Sequence, residues 1–227
     1  MRRNNTKSNN TLKNIILKHI TNNLRSYTIL VILFLIGIII GVMFINNANE
    51  SQQEQLQGYI TGFVDSLKGD YQIDMAKLLK NSIIDNVKIA IILWFVSSTV
   101  IGVFAVYGII VYRGFCIGYT VASIVATLGT GKGILFLITS LLLQNILFIP
   151  CIISLGVSGM NLYKSIMKDK RRENIKTEIY RHTIFSIIML ILLIISSFIE
   201  TYISSPLLMY TVKYLWPKMG TENLGRI

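Results

Sequence analysis

YTILVILFLIGIIIGVMFI, residues 27–45, runs for about 19 residues without a charge, the length a helix needs to cross a hydrocarbon core of roughly 30 Å. It is longer than the apolar core of a cleavable signal, and no convincing A-x-A site follows, so it reads as an uncleaved first span. Inside lipid every backbone N–H and C=O must be satisfied within its own segment, which makes such a run a helix.

Outward from this stretch the same pattern recurs. Further apolar blocks cover residues 87–112, 115–128, 134–160 and 183–202, separated by short polar pieces. These blocks lack the polar faces that a soluble helical core shows, and a hydrophobic share of 52% against 15% charge agrees. The expected fold is all-α: a polytopic membrane protein with about five transmembrane helices and an outer amphipathic helical loop. The parts are a basic tail (1–25), a membrane domain (26–205) and an interfacial tail (206–227).

The tail carries Arg2, Arg3, Lys7, Lys13, Lys18 and Arg25. Within it Leu12, Ile15, Ile16, Ile20 and Leu24 fall at helical spacing, as in a segment lying on the membrane. In the loop 46–86, Leu56, Tyr59, Ile60, Phe63 and Leu67 recur at three- and four-residue steps. Met75, Leu78, Leu79 and Ile83 follow, after a break near Lys68–Gly69–Asp70. Both runs predict amphipathic helices, lying on the bilayer or packed against the spans. Beyond Pro206, Leu207, Leu208, Tyr210, Tyr214 and Trp216 suit the headgroup level.

Charge orients the chain. With the N-terminus in the cytoplasm and five crossings, the tail, an Arg113–Gly114 turn and the stretch Lys164–Arg181 lie inside and hold 14 of 22 Lys and Arg residues. Eight of 11 acidic residues fall outside. A re-entrant segment 115–128 would instead expose the seven positive charges of Lys164–Arg181, against the positive-inside rule. The net charge of +11 is thus explained by cytoplasmic loops and anionic membrane lipids rather than by nucleic acid.

Nothing in the sequence resembles an enzyme active site, and no catalytic, cofactor-binding or metal-binding residues are expected. Cys116 and Cys151 stand alone inside apolar blocks, without a CxxC or a Cys/His cluster. His19 and His182 lie far apart in basic flanks and read as headgroup-level side chains. Gly129-Thr-Gly-Lys-Gly133 lacks the spacing of a phosphate loop. Gly37/Gly41 and Gly114/Gly118 form GxxxG patterns, which let helix backbones approach closely within the chain or between copies. Gln144, Asn145 and Pro150 fit a buried kink, a binding or translocation site, or a contact to another membrane protein. Glu200 is an interfacial carboxylate or the partner of an outer lysine.

One stretch carries a family resemblance. Tyr112-Arg-Gly-Phe-Cys-Ile-Gly-Tyr-Thr-Val-Ala, a glycine-containing turn, and Leu143-Gln-Asn-Ile-Leu-Phe-Ile-Pro150 resemble the core of the stage II sporulation protein M family, and the order of tail, span, outer loop and later spans agrees over about residues 25–205. The resemblance implies a scaffold in the mother-cell membrane at the sporulation septum, acting in engulfment and recruiting stage II sporulation proteins P and D, which remodel peptidoglycan. It carries over Arg113, Gly114, Gly118, Gln144, Asn145 and Pro150 as structural or contact positions. On this reading the outer loop, with Tyr59, Ile60 and Phe63, faces the partners. A small transporter or permease subunit is the competing reading, because broken helices with Pro and amides mark transport pathways.

Overall fold

The computed structural model describes residues 17–69, 74–96, 99–168 and 172–215. Every element among them is helical. Leu12, Ile15 and Ile16 of the tail, and Trp216 beyond the last helix, lie outside these residues.

Helix α1 (Leu24–Asn46) is the first span, α2 (Glu50–Lys68) the first amphipathic run, and α3 covers Met75–Val96. Helix α4 runs Val100–Leu128. A long rod follows, made of α5 (Thr130–Leu137), a π-helical turn (Ile138–Leu142) and α6 (Leu143–Lys168). The last rod joins α7 (Arg172–Ile199), a second π-turn (Glu200–Ser204) and α8 (Ser205–Leu215).

Four of these segments are long and apolar enough to cross a membrane: Leu24–Asn46, Gly102–Leu128, Thr130–Met167 and Ile175–Lys213. Helix α3 is a fifth of crossing length, about 33 Å at 1.5 Å per residue, but carries Lys80, Asp85 and Lys88 toward its N-terminal end. It lies antiparallel to α7, with Ser82 at Glu200, Asn86 at Leu193 and Trp94 at Thr183.

The structure moves one boundary. Arg113–Gly114, expected as the turn between spans 87–112 and 115–128, sits inside α4, a continuous helix of 29 residues. The chain instead turns just before α4, where Thr99 caps the helix by accepting a hydrogen bond from the Gly102 N–H at 3.0 Å. The second amphipathic run, Met75–Ile83, is therefore the N-terminal part of α3 and not a separate loop helix. No Gly or Pro interrupts residues 75–96, so nothing stops the helix there.

Two more boundaries shift. Most of Lys164–Arg181 is helix, because α6 continues to Lys168 and α7 begins at Arg172. Ser205–Leu215 is also helical and continues the last rod as α8; residues 216–227 of the expected tail lie outside the described residues. Between α4 and α5 the direction reverses at Gly129, whose φ of 78° an L side chain rarely adopts.

The main core joins α1, α3, α4, α6 and α7 around Leu30, Leu93, Ile110, Ile152, Leu155 and Leu193, all fully buried. The closest packing is between α1 and α4, which run parallel. A Cβ on Gly41 would lie 2.6 Å from Tyr119 N, and one on Gly118 2.8 Å from the Ile38 Cα. Gly37 and Gly114 meet the partner backbone equally closely. The two GxxxG patterns thus face each other within one chain, where missing side chains let backbones touch and dispersion replace lipid contact. Phe44 then packs across the seam on Phe115 and Tyr119.

Candidate functional site

Three features stand apart from the apolar core: the amphipathic helix α2, a polar seam in the half of the bundle nearest it, and a basic cavity at the opposite end.

Helix α2 buries Ile60, Val64 and Leu67 against Ile124 and Leu128 of α4, Phe136 of α5, and Leu208 and Val212 of α8. It is fixed to the bundle and not merely laid on a membrane. This corrects part of the expected contact face: Ile60 is 8% exposed and belongs to the core, while Tyr59 at 76% and Phe63 at 44% point away from it. The reason is register. Tyr59 and Phe63 are four apart on one stripe, and Ile60, Val64 and Leu67 form the neighbouring stripe. The start of α2 is set by Gln52, whose side chain accepts a hydrogen bond from Asn49 N at 3.2 Å.

The seam centres on Glu200, in the second π-turn. Its carboxylate accepts hydrogen bonds from the Ser82 hydroxyl and from Gln144 Nε2, the latter at 2.7 Å. One turn further in, Asn86 Nδ2 donates to Leu193 O at 3.1 Å and to Ser197 Oγ at 2.8 Å. Ser196 donates to Gln144 O, and Ser204 donates to Thr139 O and Ser140 O at 2.6 and 2.8 Å. A π-turn shifts the helical register and leaves carbonyls short of N–H partners. Here hydroxyls from the neighbouring rod supply donors, as a low-dielectric interior requires. Among the described residues Glu200 pairs with no lysine; it ties α3 and α6 to the last rod.

Gln144 and Asn145 separate. Asn145 turns back on its own helix, donating to Leu141 O at 2.8 Å, and so helps satisfy the first π-turn. Pro150 is exposed on the outside of the bundle and not buried, and α6 continues on both sides of it. Arg113 faces α6, with its guanidinium 4.9 Å from the centre of the Phe148 ring, a cation–π contact that offsets part of its desolvation. Gly114 and Gly118 serve the α1 seam described above.

The two histidines, distant in sequence, meet at the other end. His19 stacks on Phe185 at 4.2 Å, and its Nδ1 lies 3.0 Å from Tyr27 Oη. Burial, then the positive Arg181 and neighbouring His182, push its pKa down to about 4. His182 Nδ1 lies 2.9 Å from Ser158 Oγ. Sequence reasoning missed both the convergence of the two histidines on one cavity wall and the role of Asn86, because these partners meet only when the rods pack.

Among the described residues no three of His, Cys, Asp or Glu converge. The chain matches the family model for stage II sporulation protein M over residues 29–205. It belongs to the stage II sporulation protein M family. The match takes in α1 through the second π-turn, so the GxxxG seam and the Glu200 seam lie within the family's domain, whereas α8 beyond Ser205 lies outside it. No curated protein and no solved structure matches the chain.

Proposed function

We propose that this sporulation-related membrane protein is a scaffold that localises peptidoglycan-remodelling proteins at the septum during engulfment, with no catalytic chemistry of its own. Its partners on this reading are stage II sporulation proteins P and D, together with anionic membrane lipids. The N-terminus lies in the cytoplasm of the mother cell and the C-terminus outside.

The observation that carries the proposal is α2. A scaffold needs a rigid surface held clear of the bilayer, and α2 is bolted to α4 and α8 by one stripe while presenting Tyr59 and Phe63 on another. Exposed aromatics on a fixed helix are the kind of anchor that dominates protein interfaces. Membrane-dye imaging of sporulating cells lacking the gene tests the role. Septa that form but fail to migrate around the forespore are expected; complete engulfment would refute it.

A transporter or permease subunit remains the second reading, and the Glu200–Gln144–Ser82 seam favours it, since ionisable groups inside spans mark ion and substrate paths. The discriminating measurement is labelling of a cysteine at Gln144 by a membrane-impermeant thiol reagent. Reaction supports a water-filled path, and protection supports a structural seam.

A further inference from the structure

At the end of the bundle opposite α2, a cavity of about 1040 Å³ opens between residues 17–23, the last turns of α6 and the first turns of α7. Its wall is divided by chemistry. Among the described lining residues Lys18, Lys164 and Arg181 bring three cations to it, against one carboxylate, Glu178. That carboxylate is already paired with Arg181 at 3.3 Å, which leaves other N–H groups of the guanidinium fork for a second acceptor. Lys164 donates to the neutral Ser26 hydroxyl at 3.2 Å. Among the described residues every salt bridge is a local pair, and none includes Lys18 or Lys164. Asn22, Asn161 and Ser165 add neutral polar groups.

Apolar lining comes from Leu162, Ile175, Ile184, Phe185 and Ile188, beside further polar groups that include His19, Ser158, Thr177 and His182. From Ile184 the apolar surface continues along the outside of α7 through Ile187 and Ile191, exposed by 51% and 53%. A basic mouth running into a greasy track fits an amphiphile with an anionic head. The same positive surroundings act on His19, whose imidazole is held neutral at physiological pH by burial, Arg181 and His182.

We propose that this cavity binds the phosphate of an anionic phospholipid headgroup between Lys18, Lys164 and Arg181, with an acyl chain lying against Ile184 and Ile188. A soluble phosphate has the same head chemistry, but it would leave the apolar half of the cavity unused. The site lies at the end of the bundle opposite α2 and does not depend on the scaffold reading.

The test uses the full chain in nanodiscs of phosphatidylcholine with or without phosphatidylglycerol, reading lipid retention by native mass spectrometry after release. Wild type is expected to retain phosphatidylglycerol selectively. Lys164→Gln combined with Arg181→Gln is expected to weaken retention roughly tenfold or more, at about 1 kcal/mol per basic group. Ser165→Trp, which fills the cavity without changing charge, is expected to do the same. Lys80→Gln, at the far end of α3, serves as the charge control and leaves retention unchanged. If the double variant does not fold, by its helical circular dichroism, Ser165→Trp and Lys18→Gln decide the question alone. Equal retention by wild type and the cavity variants overturns the proposal. Displacement of the lipid by inorganic phosphate alone would overturn the lipid assignment in favour of a soluble phosphate.

Discussion

At the residue scale, small groups and buried polar groups set the tolerances. Gly118 sits where a Cβ would strike the α1 backbone, whereas Gly58 has open space on the exposed side of α2. Gly118→Leu is therefore expected to cost about 3 kcal/mol or more, since backbone cannot yield as a side chain can, while Gly58→Ala is neutral or stabilising by up to about 1 kcal/mol. Thermal midpoints of the two variants in detergent check the contrast. Glu200→Gln keeps an acceptor for Ser82 and Gln144 and is expected to remain near wild type. Glu200→Leu leaves both donors unpaired and should cost about 1–3 kcal/mol, read the same way. His19 gives a pH signature. Its pKa falls from 6.5 to about 4 on docking, so the docked state favours the neutral ring. Its contribution is present above pH 6.5 and is lost as pH falls toward about 4. Arg181, His182 and Tyr27 face the ring, and loss of either positive neighbour should raise the midpoint. Stability measured across that window in wild type and His19→Gln should show a steeper acid loss in wild type.

At the element scale, the docking of α2 separates two stripes that the sequence joins. Val64→Asp buries a charge among Ile124, Phe136 and Val212 and is expected to release α2, seen as faster proteolysis of residues 50–69. Tyr59→Glu with Phe63→Glu changes only the outward stripe and should leave that digestion pattern as in wild type. The existence and order of the spans were legible because apolar length is imposed by lipid, whatever the fold. The break at Gly69 was legible as well. The turn before α4 was not: a charged Arg beside a Gly looks like a loop, yet Arg113 rests on the Phe148 ring and Gly114 admits the α1 backbone. The real signal was the hydroxyl run Ser97-Ser98-Thr99, ending in the cap of α4. The π-turns leave no mark of their own in sequence, since they depend on donors from a neighbouring rod.

At the scale of the whole molecule, membership in the stage II sporulation protein M family and the bundle geometry agree on one architecture. A glycine seam joins α1 to α4, a polar seam joins α3, α6 and α7, and α2 caps the end where α8 finishes. Of the candidate site, the outer helix was readable from its periodicity. Which of its stripes is free was not, because that depends on α8 and α4, far away in sequence. The measurement that bears most directly on the scaffold reading replaces the chromosomal gene with the Tyr59→Glu, Phe63→Glu variant and images a fluorescent stage II sporulation protein P in sporulating cells. With the variant present in the membrane at wild-type level, the partner is predicted to disperse from the septum and engulfment to stall. Septal localisation and complete engulfment in that strain would contradict the claim that the exposed stripe of α2 holds the partner.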